Sequence, residues 1–249
     1  MKMDISIKFR SLLVLLLSLS GAMAGERVVE AELHENVTNA FINPNKASSL
    51  PRVLIIGDSI SIGYTDPTRN NLKGIADVFR PPVNCAHTGY GLALIETWLG
   101  TNKWDVIHFN FGIWDTHMLD VRGNLVLVED KNSSPGAIRI RYTPEQYREN
   151  LTQLVKILKG TGAKLIWAST TPIMSRTGSR FEAIPILNQV AAELMKSQGI
   201  AIDDLYAFVL PQVKEWQTPD QCHFNARGNA QLGKQVTKSI HRAINSKDQ

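Results

Sequence analysis

The chain has 249 residues, of which 43% are hydrophobic and 20% are charged, and its formal net charge is +4. This length is sufficient for one α/β domain with a full-sized apolar core. The small positive charge is spread along the chain, so the composition argues against a nucleic-acid-binding protein and against adhesion to an anionic membrane.

The first 24 residues have the pattern of a cleavable export signal. Three cations precede an apolar run over residues 12–19, and residues 22–24 (Ala-Met-Ala) form a small-x-small cleavage motif. The apolar run is too short to span a bilayer, which needs about 20 residues. We therefore expect a secreted or periplasmic protein, cleaved near Ala24, without stable insertion into a membrane.

Residues 25–50 are interpreted as an N-terminal arm. They show no strong periodicity and contain Asn43-Pro44-Asn45, a sequence typical of turns. The remaining residues, 51–249, form the predicted single domain. Removal of residues 1–24 would take away three positive charges and one negative charge, which lowers the net charge from +4 to +2.

Five short apolar runs predict the strands of a parallel sheet that is buried on both faces. The first run, over residues 53–56, is continuous and is ended by Gly57. The other runs occupy residues 76–79, 106–111, 165–168 and 200–202, and those at 76–79 and 200–202 are the weaker ones.

Helical patterns separate these runs. Thr143 and Gln146 form a capping box ahead of an apolar face that ends at Gly160. Further helices are predicted before Gly199, after an N-cap at Asn225 and over residues 92–99. The alternation predicts a three-layer α/β/α domain with a doubly wound parallel sheet of about five strands, in which ligands bind beyond the carboxyl ends of the strands.

One segment interrupts the alternation. Between the third strand and the Thr143 helix, residues 124–129 and 137–142 alternate in polarity around a turn-rich segment. This pattern predicts a β-hairpin inserted at about 124–142, over the carboxyl end of the sheet. Such a hairpin could shape a substrate cleft, or it could be a peripheral addition.

Two motifs carry the residue types of a nucleophilic site. Gly57-Asp58-Ser59 follows the first strand, and Asp220 stands three residues before His223, just ahead of the last helix. A serine hydroxyl becomes nucleophilic at neutral pH when an imidazole takes its proton and a carboxylate fixes the imidazole tautomer. We therefore predict Ser59 as the nucleophile, His223 as the general base and Asp220 as the acid that orients it.

Other kinds of site find no support in the sequence. The six histidines form no His-x-x-x-His pair and the two cysteines form no Cys-x-x-Cys motif, so no metal is expected. The Gly89-Tyr90-Gly91 segment lacks the third glycine of a dinucleotide-binding loop. We expect no cofactor.

The two motifs together resemble the SGNH (GDSL) hydrolase family of serine esterases, whose first block is Gly-Asp-Ser and whose last is Asp-x-x-His. The resemblance covers most of residues 52–244, and it implies a flavodoxin-like sheet and an acyl-enzyme mechanism. It also implies an oxyanion hole that includes the N–H groups of Ser59 and of a second-block glycine. Gly89 matches that glycine by its spacing from Asn84, with Gly91 as the alternative.

The third block departs from the family pattern Gly-x-Asn-Asp, in which the asparagine side chain is an oxyanion donor. Here Trp114 stands at that place, and its size makes it a poor replacement. Asn110, two residues before Gly112, is the donor that we name instead, although it could equally be a buried side chain that ties strand to loop. The Asn-x-Gly-x-Trp order resembles the corresponding block of the plant trichome-birefringence-like polysaccharide O-acetyltransferases.

The two cysteines, Cys85 and Cys222, fall in loops at the same end of the predicted sheet. In an oxidising compartment they could form a disulfide, or they could be two buried thiols, which is the alternative that we favour. Neither has the features of a nucleophile.

The resemblance implies a secreted serine ester hydrolase, with a Ser-His-Asp triad, that deacetylates a carbohydrate or another small O-acyl ester. The alternatives are a lipid or aryl esterase, an acetyltransferase on the same fold, and a glycan-binding relative without activity. The expected partner is a small-molecule or glycan ester rather than nucleic acid, and we expect a monomer.

Overall fold

A computed structural model describes residues 38–44, 48–126, 138–174 and 181–246 of the chain. Its strands are β1 (Arg52–Ile56), β2 (Asp77–Phe79), β3 (Val106–Phe109), β4 (Met118–Leu119), β5 (Arg139–Ile140), β6 (Lys164–Ala168) and β7 (Ala201–Asp203). Five of them form one parallel sheet in the order β2-β1-β3-β6-β7. The sequence therefore predicted the fold class correctly, since this is a doubly wound order.

Helices cover both faces of the sheet. They are α1 (Ser59–Asn71), α2 (Thr88–Leu99), α3 (Pro144–Lys159), α4 (Ile184–Ser197), α5 (Leu205–Val209), α6 (Val213–Trp216) and α7 (Ala226–Asn245). Val53 and Ile55 of β1 pack in one apolar cluster with residues of α1 and α7, whereas Leu54 and Ile56 pack in another with residues of α2, α3 and α4. Alternate residues of a strand thus face opposite layers, which is why the sequence runs are continuously apolar.

Helix ends follow the predicted caps. At the start of α3, the Thr143 hydroxyl accepts the Gln146 N–H and the Gln146 side chain accepts the Thr143 N–H, so the capping box is confirmed. Asn225 caps α7 by accepting the N–H of Gly228 at 3.0 Å. The helix predicted over residues 92–99 begins earlier, at Thr88, because the His87 side chain caps it.

The third strand is shorter than predicted and ends at Phe109 rather than at residue 111. The Phe111 carbonyl accepts hydrogen bonds from the hydroxyls of Tyr147 and Thr170, at 2.9 and 3.0 Å, instead of joining the ladder. The chain therefore leaves the sheet two residues early, at the edge where the site forms.

The predicted hairpin at 124–142 falls largely outside the described residues, which omit residues 127–137. In the flanking parts, β5 pairs antiparallel with β4, and Leu119 of β4 also bridges to Leu125. Among the described residues, β4 thus lies between Leu125 and β5, because a hydrophobic pattern does not identify a partner strand.

The arm reaches the domain at its described residues. Asn39–Phe41 form a short 3-10 turn in which Ala40 is buried, and the Asn43 side chain bonds to the backbone of Arg80 at the end of β2. The predicted signal segment, residues 1–24, lies outside the described residues. None of the helices in the described ranges is long and apolar enough to cross a membrane.

The cysteines occupy different layers. Cys85 and Cys222 are both buried, Cys85 in the cluster that contains Leu54 and Cys222 in the cluster that contains Val53. Their placement on opposite faces of the sheet favours two buried thiols over a bridge between them.

Candidate active site

The turn after β1 presents Ser59 at the carboxyl edge of the sheet. Ser59 is the first residue of α1 and is partly exposed, while Asp58 is buried and caps the helix by accepting the Ile60 N–H at 3.0 Å. A side chain at Gly57 would lie 3.0 Å from the Ser61 side chain, so glycine lets the strand turn directly into the helix. The turn therefore presents the Ser59 hydroxyl at the top of the sheet.

The loop before α7 brings His223 to this hydroxyl across 164 residues of sequence. Ser59 Oγ and His223 Nε2 are 2.9 Å apart, and His223 Nδ1 is 2.5 Å from Asp220 Oδ2. The structure thus places the three predicted residues in one hydrogen-bonded chain. A carboxylate on Nδ1 fixes the proton there and leaves Nε2 able to accept the serine proton.

The Asp220 carboxylate is held by more than the histidine. Its Oδ1 atom accepts the Thr218 hydroxyl at 2.6 Å and the N–H groups of Cys222 and His223 at 3.1 and 3.0 Å. Burial raises the pKa of Asp220, but the hydrogen bonds from Thr218, from the His223 side chain and from these N–H groups lower it more, so it lies below its ordinary value. The carboxylate stays ionised and fixed in direction.

Each of the two loops of the site contains a non-glycine residue with a left-handed backbone conformation. In the described ranges, the non-glycine residues with positive φ are Ala86, at 48°, and Gln221, at 57°. Gln221 lies between Asp220 and His223, and its conformation turns the chain so that the two side chains meet. Sparsely populated backbone conformations cluster at functional sites, where surrounding contacts hold them.

Gly89 lies in the first turn of α2, where helical N–H groups have no partner within the helix. The alternative, Gly91, donates its N–H to the His87 carbonyl at 2.9 Å and is therefore used by the helix. A Cβ on Gly89 would overlap the Tyr142 hydroxyl, so glycine allows the Tyr142 side chain to lie against this turn. The contacts favour Gly89 over Gly91 as the second oxyanion donor.

Asp115 of the third block fixes this turn. Its Oδ1 atom accepts both the N–H and the hydroxyl of Thr88, at 3.0 and 2.5 Å. Burial raises the pKa of Asp115 to about 7, although the bonds from Thr88 and the charge of Arg141 oppose the rise. Sequence reasoning did not identify Asp115, which ties the third block to the start of α2.

The side chain of Asn110 is not placed as an oxyanion donor. Its amide donates to the Ala168 carbonyl at 2.7 Å and to the Thr170 hydroxyl at 3.1 Å, which uses both N–H groups. The prediction of a donor at this position is therefore not supported, and its alternative, a tie between strand and loop, is what the contacts describe. Trp114 is also buried and packs against the His117 ring with 4.9 Å between centroids.

His87 is a cap rather than a base. Its Nδ1 atom accepts the Tyr90 N–H at 3.1 Å, and burial, followed by the charge of Arg141, lowers its pKa to about 3. Thr218, by contrast, was missed by sequence reasoning although it touches Asp220. The only signal for it was a hydroxyl residue two positions before a predicted catalytic acid.

One cleft lies close to these residues, and another lies at the opposite end of the sheet. One of about 480 Å³ adjoins the Asp220 loop and includes Met174, Gln217 and Thr218 in its lining. Another, of about 710 Å³, lies at the amino ends of β6 and β7, where Lys164 and Ala201 line it. The larger cleft is at the wrong end of the strands for the Ser59 chemistry, since the serine lies at their carboxyl ends.

Residues 55–231 match the family described as "GDSL-like Lipase/Acylhydrolase family". No curated protein matches the chain. Solved structures that resemble it include a lipase/acylhydrolase from Enterococcus faecalis, with 20% identity and a TM-score of 0.60 over 80% of this chain and 100% of that one.

Two further similar structures are acetylxylan esterases. That from Geobacillus stearothermophilus has 17% identity and a TM-score of 0.58 over 82% of this chain and 98% of that one. The esterase AlAXEase has 15% identity and a TM-score of 0.58 over 76% of this chain and 99% of that one. At these identities the likeness is one of fold.

Proposed function

The chain belongs to the GDSL-like lipase/acylhydrolase family, whose members are ester hydrolases, and we propose that Ser59, His223 and Asp220 hydrolyse an O-acyl ester through an acyl-enzyme. The observation that carries this proposal is the continuous hydrogen-bonded chain from Ser59 Oγ through the His223 ring to Asp220.

The first half of the reaction forms the acyl-enzyme. Ser59 Oγ attacks the ester carbonyl carbon, and the hydroxyl proton passes to His223 Nε2 as the new C–O bond forms. Asp220 stabilises the imidazolium that results. The tetrahedral intermediate then collapses: the bond between the acyl carbon and the alcohol oxygen breaks, and that oxygen takes the proton from His223 and leaves as the alcohol.

The second half reverses these roles with water. A water molecule loses a proton to His223 and attacks the acyl carbon, and the bond to Ser59 Oγ breaks as the serine regains its proton. The products are a carboxylic acid and free enzyme. The backbone N–H groups of Ser59 and Gly89, both at helix N-termini, stabilise the negative oxygen in each half.

The proposed substrate is a carbohydrate that carries O-acetyl groups, or another small O-acyl ester. Its support is the accessibility of the site within the described ranges, where the His223 side chain is 38% exposed and that of Asp220 is 50% exposed. An open catalytic edge suits a bulky polar alcohol better than a lipid chain, which needs an enclosed apolar cleft. Two of the proteins with a similar fold are acetylxylan esterases, in line with this class.

We also propose that the enzyme acts outside the cytoplasm. The basic start, short apolar run and Ala-Met-Ala motif of residues 1–24 support export with cleavage near Ala24. Expression of the full chain in a bacterium and mass analysis of the exported fraction tests this. A mature protein that begins near Gly25 is expected, whereas an uncleaved cytoplasmic product would contradict export.

Hydrolysis assays test the reaction and its substrate. The wild-type enzyme and Ser59→Ala are compared on nitrophenyl acetate, butyrate and octanoate, and acetate release is measured from acetylated xylan. We expect activity on acetate to be highest and to disappear in Ser59→Ala. Equal rates for the two proteins would contradict the mechanism, and a preference for octanoate would redirect the substrate from sugars to lipids.

A further inference from the structure

Arg80 is a buried cation directly behind the serine turn. It follows β2, and only 1% of its surface is exposed. Its guanidinium donates hydrogen bonds to neutral acceptors, namely the carbonyls of Gly57, Pro81 and Val83 and the hydroxyls of Ser61 and Thr65.

These bonds join the two segments from which the oxyanion N–H groups come. One guanidinium nitrogen, Nη2, donates to both the Gly57 carbonyl and the Val83 carbonyl, at 3.2 Å each. Gly57 lies two residues before Ser59, and Val83 begins the segment that leads to Gly89. The other terminal nitrogen, Nη1, holds the hydroxyls of Ser61 and Thr65 in α1, at 3.0 and 3.2 Å.

A second hydrogen bond joins the same two segments, at the junction between the serine turn and the segment that leads to α2. The Cys85 N–H donates to the Gly57 carbonyl at 3.3 Å, so this carbonyl accepts two hydrogen bonds from the segment between β2 and α2, one from Arg80 and one from Cys85. The backbone of Ala86, one residue later, is left-handed. The path from the serine turn to α2 is thus short, hydrogen-bonded and conformationally defined.

Burial of a guanidinium costs free energy unless its hydrogen bonds compensate for the lost water. Removal of a cation from water is costly, and an apolar side chain of similar volume would fill the space without that cost. Burial lowers the pKa of Arg80, while nearby groups, among them Asp58 and Tyr64, oppose the shift. What an apolar residue lacks is a planar fork of donors that reaches several acceptors at once.

We propose that Arg80 is a positioning residue of the oxyanion hole, which sets the separation of the Ser59 and Gly89 N–H groups by holding the Gly57 and Val83 carbonyls on one guanidinium. This inference rests on the proposed function. Arg80 touches neither substrate nor Ser59 itself and acts through the backbone of both segments.

The N-terminal arm supports Arg80 from the outer side. The Asn43 side chain accepts the Arg80 N–H and donates to the Arg80 carbonyl, at 2.9 Å each. The Phe41 ring lies 5.5 Å from the guanidinium carbon, at cation–π distance. Loss of the Asn43 side chain should therefore disturb the same junction while the guanidinium itself is retained.

The test compares Arg80→Lys with Arg52→Lys. Lysine retains the charge but has one nitrogen, so it cannot hold both carbonyls and both hydroxyls. Arg52 lies at the other end of β1, where it packs over Phe79 and Trp104, and it serves as the matched control. Active sites are titrated with a fluorophosphonate, so that kcat refers to folded enzyme only, and KM is measured on nitrophenyl acetate.

We expect kcat per titrated site to fall by about ten- to a hundredfold in Arg80→Lys, the effect of a displaced catalytic group, with KM nearly unchanged. Arg52→Lys should keep the wild-type kcat per site. A wild-type kcat per site in Arg80→Lys would overturn this inference but would leave the proposed function unaffected. Failure of the fluorophosphonate to label the wild-type protein would overturn the proposed function and this inference with it.

Asn43→Ala decides the matter if Arg80→Lys does not fold. It keeps the guanidinium and removes the two side-chain bonds to the Arg80 backbone, together with the bond that the Asn43 amide oxygen accepts from Arg69 Nη2 at 3.1 Å. A smaller fall in kcat per site, in the same direction and again without a change in KM, supports the inference. An unchanged kcat per site in the folded Asn43→Ala protein overturns it.

Discussion

The Thr218 hydroxyl donates to Asp220 Oδ1 at 2.6 Å, whereas the His223 ring bonds to the other carboxylate oxygen, Oδ2. Because both oxygens are held, the carboxylate is fixed in its plane. The second contact thus helps to fix the direction of the Asp220 carboxylate and, through it, the orientation of the His223 ring.

We expect Thr218→Val to lower kcat by about tenfold, since a hydrogen bond to a charged group contributes about 1.5–3 kcal/mol and part of it orients the base. Asp220→Asn should lower kcat much further, by about 10⁴-fold, because the amide favours the wrong imidazole tautomer. Thr218→Ser keeps the hydroxyl and is the control. Steady-state kinetics on nitrophenyl acetate measure all three, and an unaffected Thr218→Val enzyme would show that the bond has no catalytic role.

Gly89→Ala should lose activity for a steric reason. The new Cβ would overlap the Tyr142 hydroxyl and lie 3.1 Å from Tyr142 Cζ, so either the Tyr142 side chain or the first turn of α2 must shift. We expect kcat to fall by about 10²-fold, the effect of a small displacement of a catalytic group.

Tyr142→Phe tests the cause of that loss. It removes the oxygen that the Cβ would meet, so Gly89→Ala combined with Tyr142→Phe should recover part of the lost kcat, while Tyr142→Phe alone stays close to wild type. Equal loss in the single Gly89→Ala and the double variant would mean that this clash is not the cause.

Asn110→Ala separates a tie from an oxyanion donor. If the amide only ties β3 to the end of β6, its loss lowers the free energy of unfolding by about 1–3 kcal/mol through unpaired buried groups and leaves kcat near wild type. An oxyanion donor would instead lower kcat by about 10²–10³-fold. Denaturant melts and kinetics on the same preparation distinguish the two, and we expect the first result.

Acid should destabilise the protein through His87. Burial lowers the pKa of His87 in the folded state to about 3, below the ordinary value of 6.5. Between these two pH values the His87 ring is protonated in the unfolded chain and neutral in the folded chain. Stability from this group is therefore complete above pH 6.5 and falls as the pH drops from 6.5 towards 3. At pH 5 the loss is about 2 kcal/mol.

His87→Asn keeps a capping oxygen for the Tyr90 N–H and removes the titrating ring. The variant should lose less stability than wild type between pH 7 and pH 5, whatever its stability at pH 7. His241→Asn, at an exposed position on α7, is the control and should follow the wild-type slope. Parallel pH dependence of His87→Asn and wild type in urea melts would contradict the buried neutral state of His87.

Much of the fold could be predicted because its determinants are local. Parallel strands covered on both faces give unbroken apolar runs, and capping residues such as Thr143 and Asn225 act within three residues of their own position. The grouping of Ser59 with His223 could also be predicted, since each follows or precedes an identifiable element at the same edge of the sheet.

What escaped prediction depends on distant partners. The role of Asn110 is decided by Ala168 and Thr170, 58 and 60 residues away, and a sequence does not show which amide N–H groups such partners will use. The pairing of β5 with β4 was not predicted for the same reason, because a period of two identifies a strand and not its neighbour. No sequence motif identified the role of Arg80, because its hydrogen-bond acceptors are mostly backbone carbonyls.

Covalent labelling tests the central claim most directly. A fluorophosphonate transfers its phosphonyl group to an activated serine, with fluoride as the leaving group, and peptide mass analysis identifies the site. We predict one adduct per chain on Ser59, none in Ser59→Ala, and normal labelling in Ser169→Ala, whose hydroxyl lies at the same sheet edge but is bonded to Asp204. Active enzyme that remains unlabelled, or that carries the adduct on another residue, would contradict the account.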